Sequence, residues 1–302
     1  MAKNQSTKSL KSGIGQSNHR NESNKRFEAC GRQNPIKRLF FDIETSPNVV
    51  LSWNVGYKIK LDYANIVEER AIICIGYKFA GDSSVNVLSW DNERSDRALL
   101  GKFIDILASA DECIGHNIDR FDLAWIKTRC LFHKLPPFPI VKTADTLKWA
   151  RRQYRFNSNR LDYIADFLGI GRKIRTEFGL WKEVVLDRNR EALAKMKNYC
   201  AGDVALLEKV WERLSPDAPV GIHAGRQAHN DKWSCPRCAT ENVGPFQRCV
   251  TAAGTVQMKM KCRDCGGYYR ISDSAHRAYV EEIARQKQKK TLLDGRRSAV
   301  QR

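Results

Sequence analysis

A chain of 302 residues is long enough for one well-buried core and a smaller second unit. Lys and Arg outnumber Asp and Glu by 52 to 34, and the resulting net charge of +18 points to a polyanionic partner, nucleic acid before an anionic membrane surface. No apolar run approaches the roughly 18 residues of a bilayer-spanning helix, and the N-terminus lacks the apolar core of a secretory signal, so neither a membrane span nor secretion is expected.

In chain order, residues 1–36 are rich in Ser, Asn, Lys and Gly, a composition that cannot offset ordering entropy and is expected to form a flexible basic arm. From Arg38 the runs LFFDIET, AIICIGYKFA and VNVLSW read as three strands of an antiparallel meander. SDRALLGKFIDILAS reads as a helix with Ser95 as N-cap, and ECIGHN as a short strand. DRFDLAWIKTRCLFHK reads as a helix stopped by Pro136 and Pro137. IVKTADTLKWARRQY is a strand running into a helix, and NRLDYIADFLGIG a further helix closed by Gly169 or Gly171. REALAKMKNYCAGDVALLEKVWERL is a long amphipathic helix. A meander followed by alternating helices and strands predicts an α/β domain over 37–215, a mixed sheet flanked by helices. A linker over 216–229, a Cys-bearing unit over 230–272 and a basic helix or tail over 273–302 complete the expected organisation.

Two acids interrupt the first strand. Asp42 and Glu44 are two residues apart, so a strand presents both on one face, an arrangement that is unfavourable in a half-buried setting unless a cation is shared. Asp203 falls within the apolar stripe of the long helix, and Tyr199 lies one turn before it on the same face. Asp122 opens a helix, where an acid also suits the macrodipole, and Asp119 is its rival in the same run. Taken together these oxygens suit Mg²⁺ or Mn²⁺, and a pair of such ions is able to clamp a phosphoryl displacement.

The segments FFDIETSP, GHNIDRFDL and YCAGDV, in this order, resemble the three motifs of the DEDD-type 3′–5′ exonucleases, in the branch with tyrosine in the third motif. The match is Asp42 and Glu44, then Asn117, Phe121 and Asp122, then Tyr199 and Asp203, and it is similar to the proofreading domains of family B DNA polymerases and to free-standing bacteriophage exonucleases. The resemblance covers Arg38 to Leu214. It implies an RNase H-like fold with a five-stranded mixed sheet and two divalent ions: Asp42, Glu44 and Asp203 on the first, Asp42 and Asp122 on the second. Tyr199 would orient the attacking water, Asn117 would position Asp122 or the terminal nucleotide, and Phe121 would pack. DNA is the implied substrate, with work alone or beside a separate polymerase. Basic and aromatic residues of LKWARRQYRFNSNR, ending at Arg160, would track a single strand or form an ordinary exposed basic face. A non-cutting nucleic-acid-binding protein and an RNase H-like endonuclease are the competing functions.

Ten cysteines divide unevenly. Cys30, Cys74, Cys113, Cys130 and Cys200 are scattered, as expected of a reducing intracellular compartment, whereas Cys235, Cys238, Cys262 and Cys265 form two CxxC knuckles suited to one structural zinc in a zinc ribbon. Cys249 has no knuckle partner and is expected to be free. Lys232, Arg237, Arg248, Lys259, Lys261, Arg263 and Arg270 among Trp233, Tyr268 and Tyr269 make the ribbon a candidate surface for nucleic acid or for a protein.

Overall fold

A computed structural model of the chain describes residues 36–56, 58–136, 139–174 and 176–300, with backbone only over 293–300. Residues 1–35 of the expected basic arm, with Cys30, and Pro137 lie outside the described residues, while Ile36 at the arm's end is buried. The chain divides into two compact units, one ending at Gln227 and one beginning at Ala228.

In the first unit, β1 (Arg38–Thr45) leads to a small hairpin of β2 (Val49–Val50) and β3 (Ile66–Glu68). Then come β4 (Ile72–Phe79), β5 (Asn86–Ser89), α1 (Arg97–Ala108), β6 (Glu112–Gly115) and α2 (Asp122–Phe132). β7 (Lys142–Asp145), α3 (Thr146–Gln153), α4 (Leu161–Phe167), α5 (Phe178–Val185), α6 (Arg190–Leu214) and a helical turn, α7 (Ala224–Gln227), follow. The sheet order is β5-β4-β1-β6-β7. β1 is antiparallel to β4 and parallel to β6, which gives the RNase H-like mixed sheet that the resemblance implies.

Alternation sorts the residues of β1 between two cores. Leu39, Phe41 and Ile43 enter the core that holds Leu100 and Phe103 of α1 and Ile126 of α2, while Phe40 enters the core under α6, beside Val204, Leu207 and Val210. Asp42 and Glu44 share the Phe40 face. They therefore look toward α6.

Ser95 is not the N-cap of α1. Asp96 holds that position, and its buried carboxylate instead accepts from the Ile72 amide and from Arg129, with His133 2.5 Å away. The linker segment carries α7, and α5 has no counterpart in the sequence reading because no side-chain cap opens it and Gly179 stands in its first turn.

In the second unit, β8 (Val243–Val250), β9 (Val256–Cys262) and β10 (Tyr268–Ser272) form an antiparallel sheet in the order β10-β9-β8, followed by α8 (Asp273–Val300). Its core is built on Trp233, Met260, Ile271 and Tyr279. Among the described residues no helix is long and apolar enough to cross a membrane.

Candidate active site

The site forms where β1, α2 and α6 converge. Carboxylate oxygens of Asp42, Glu44 and Asp203 all lie within 4.8 Å of one another. A glycine makes this approach possible: Gly76 pairs with Asp42 across β1 and β4, and a Cβ there would sit 3.0 Å from Cys200 Sγ and 3.2 Å from the Cys200 carbonyl. The Gly76 amide donates to that sulfur, seating α6 on the sheet three residues before Asp203.

Asp122 enters from the other side. β1 pairs with β6 only through Phe40, and beyond it the Asp122 Oδ1 accepts the Ile43 amide at 3.2 Å, between the two acids of β1. Asp122 is buried, whereas Asp119 pairs at the surface with Lys148 at 2.6 Å. Asn117 takes a positive φ of 77°, a conformation asparagine tolerates well, and its amide donates to Asp145, the N-cap of α3. Phe121 lines the acid pocket while packing against the core. Arg160 is exposed at the N-cap of α4 and does not line that pocket.

Burial and mutual repulsion dominate the electrostatics. Burial, then Asp203, pushes the Asp42 carboxyl up to about 7, and burial, then Asp42, pushes Glu44 up to about 8. Burial and Asp42 raise Asp122 well above the carboxylate range, and burial also raises Asp203. Tyr199 is pushed up to about 12 by burial and by Asp203, so its hydroxyl keeps its proton at neutral pH. One cation answers this charge: Lys173 Nζ lies 2.6 Å from Asp203 Oδ2. Burial works to lower Lys173, but Asp203 and Asp42 outweigh it and hold the ammonium charged.

Lys173 was not singled out from the sequence, because it sits in a loop without periodicity. Trp181 and Phe178 lie on α5, a helix that no cap signal marks in the sequence. Trp181 donates its indole N–H to the Thr45 carbonyl at the end of β1 and meets the Tyr199 ring edge-on at 6.3 Å. With Asp42, Glu44, Phe121 and Arg70, these two aromatics line a cavity of about 500 Å³.

The donor set fits a divalent cation. Asp203 Oδ1 is buried without a hydrogen-bond partner among the described residues, the oxygens converge, and an ammonium already stands against them.

A family model of the RNase H superfamily matches residues 65–215, half of the chain. The chain belongs to the RNase H superfamily. Within it, the matched segment takes in Asp122, Tyr199 and Asp203 and begins after β1. No curated protein matches the sequence. Solved structures that match include the family B DNA polymerase from the hyperthermophilic archaeon Pyrobaculum calidifontis, at 16% identity and a TM-score of 0.47, over 60% of this chain. The chain spans a quarter of that polymerase's length, 25%.

The second unit brings its four knuckle cysteines together. Cys235 and Cys265 Sγ are 3.7 Å apart and Cys238 and Cys262 Sγ 3.6 Å. Zinc–sulfur bonds of about 2.3 Å in a tetrahedron require S···S edges of about 3.8 Å, so the donor set fits zinc. Each knuckle turns through a left-handed residue after its second cysteine, Ala239 at φ 61° and Gly266 at φ 75°. Cys249 lies outside this cluster, with its thiol 3.5 Å from the Gln257 carbonyl.

Proposed function

We propose that this protein is a metal-dependent 3′–5′ exonuclease that releases nucleoside 5′-monophosphates from DNA 3′ ends. The observation that carries this reading is the placement of Tyr199 and Asp203 on one face of α6, opposite Asp42 and Glu44 of β1. Asp42, Glu44 and Asp203 would hold one divalent ion, Mg²⁺ or Mn²⁺, and Asp42 and Asp122 a second. When bound, such ions acidify the attacking water and neutralise charge on the leaving oxygen.

The chain's own residues do the rest. Tyr199, protonated at neutral pH, orients the water toward phosphorus by its hydroxyl. The water gives up one proton to solvent as its oxygen bonds to phosphorus, the bond from phosphorus to the O3′ of the penultimate nucleotide breaks, and that oxygen takes a proton from solvent to leave as the 3′-hydroxyl of the shortened strand. Phe121, Phe178 and Trp181, which line the same cavity as Asp42 and Glu44, offer apolar walls to the terminal base and sugar. In the second unit, the four cysteines would hold one structural zinc with no open coordination position.

The test is a 5′-labelled single-stranded DNA oligonucleotide incubated with Mg²⁺ or Mn²⁺. A ladder that shortens from the 3′ end, abolished in Asp42→Ala, is the expected result. Internal cuts would indicate an endonuclease, and no cleavage in either metal would refute the reading in favour of a binding role.

A further inference from the structure

The zinc-ribbon sheet has two unlike faces. One carries Met260, Ile271 and Val243 into the small core, where Trp233 is 2% exposed and the Tyr269 hydroxyl bonds the Trp233 carbonyl. Trp233 and Tyr269 are therefore core residues and not part of the outer surface expected from the sequence.

The opposite face follows from the register. Tyr268 stands beside Lys261, and Arg270 beside Lys259, across the β9–β10 ladder. Phe246, at the irregularity between Pro245 and Gln247 in β8, reaches the same face and meets the Tyr268 ring at 5.0 Å. Both rings are solvated, Phe246 at 56% and Tyr268 at 44%. Lys259 Nζ lies 5.4 Å from the Phe246 ring and 5.1 Å from the Tyr268 ring, and Lys261 Nζ 5.6 Å from Tyr268. The Arg263 guanidinium lies over Gly244, where a Cβ would come within 3.1 Å of it. Among the described residues none of these four cations pairs with a carboxylate.

Two exposed rings in mutual contact make a contiguous apolar patch, which is more telling than a single exposed ring, and the four cations around it repel one another. A polyanion with flat apolar rings satisfies both needs at once: bases stack on the aromatics while the ammonium and guanidinium groups meet phosphates. An acidic peptide would answer the charge and leave the rings exposed.

We propose that this face is a binding platform for single-stranded DNA, centred on Phe246 and Tyr268 and sharing no residue with the acid site. Only the choice of DNA rests on the exonuclease reading. Binding at the platform requires no cleavage.

The experiment measures fluorescence anisotropy of labelled oligo(dT) with the full chain, in an Asp42→Asn background so that no cutting intervenes. Phe246→Leu with Tyr268→Leu keeps apolar bulk and removes both rings, and affinity is expected to fall about tenfold or more. Lys259→Ala with Lys261→Ala is expected to flatten the slope of log affinity against log salt by about 1.4, two phosphate contacts on a single strand. Lys259→Arg with Lys261→Arg is expected to keep the slope, and zinc content per chain confirms that each variant keeps its ribbon. Affinity within twofold and an unchanged slope would overturn the platform even if the exonuclease assay succeeds. Tighter binding of oligo(rU) than oligo(dT) would overturn DNA as its ligand.

Discussion

Lys173 Nζ stands 2.6 Å from Asp203 Oδ2, so the acidic cluster proposed to hold divalent cations already contains one charge of the right sign. Lys173 partly neutralises a cluster that burial makes costly. Replacing it with methionine leaves a buried carboxylate unpaired. The metal-free protein is expected to lose about 2 kcal/mol, less than the removal of one partner from a fully buried pair, because Lys173 is itself partly solvated. Denaturant unfolding with and without Mn²⁺ checks this: the deficit should shrink when Mn²⁺ is present, and equal stability without metal would contradict it.

The raised carboxyls set a pH dependence. Asp42 keeps its proton up to about 7 and Glu44 up to about 8 in the folded chain, whereas ordinary values are 3.8 and 4.5. Between these limits the folded state binds more protons than the unfolded state, so the stability of the metal-free protein falls as pH rises from roughly 4 to roughly 8. Divalent binding needs the deprotonated acids. Thermal scans at pH 5 and pH 8 should show the higher midpoint at pH 5 without metal, and the larger Mn²⁺-induced rise at pH 8.

Tyr199→Phe removes a hydroxyl and keeps the ring that meets Trp181 edge-on. Single-turnover cleavage is expected to slow by about 100-fold, at the lower end of proton-transfer and orienting contributions. Mn²⁺ affinity should change little, since the carboxylate donors are untouched. A parallel loss of metal binding would assign Tyr199 a structural task instead.

Gly76→Ala places a methyl against Cys200 Sγ at 3.0 Å and against the Cys200 carbonyl at 3.2 Å, and a helix backbone cannot turn aside as a side chain can. Helix α6 has to move out, and Asp203 moves with it. A loss of about 1–3 kcal/mol in stability is expected, together with weaker Mn²⁺ binding. Unchanged metal affinity in the folded variant would show that the close approach is not what positions Asp203.

Those parts of the site that lie on regular elements were legible in the sequence. The period of a strand puts Asp42 and Glu44 on one face, and the period of a helix puts Asp203 and Tyr199 on another, because both repeats fix direction without knowledge of the partner. The mixed sheet was readable from strand runs and helical stripes for the same reason. Lys173 was not legible, since a loop lysine has no repeat to mark it, and its meaning comes only from long-range contact with α6. Trp181 and Phe178 sit on a helix that has no side-chain cap to mark its start and carries Gly179 in its first turn. Ser95 looked like an N-cap because cap statistics are local, while Asp96 serves tertiary bonds to Ile72 and Arg129. The sequence reading put Tyr268 and Tyr269 on one surface, whereas the strand sends them to opposite faces and the register with β9 turns Tyr269 toward the core.

The bond from the Ile43 amide to Asp122 Oδ1 has a spectroscopic use. That N–H lies on the backbone between the two acids of β1, and its acceptor is an oxygen whose charge changes with proton or metal occupancy. A single ¹⁵N-resolved resonance at Ile43 therefore reports how the carboxylate cluster is loaded, in solution and without any substrate.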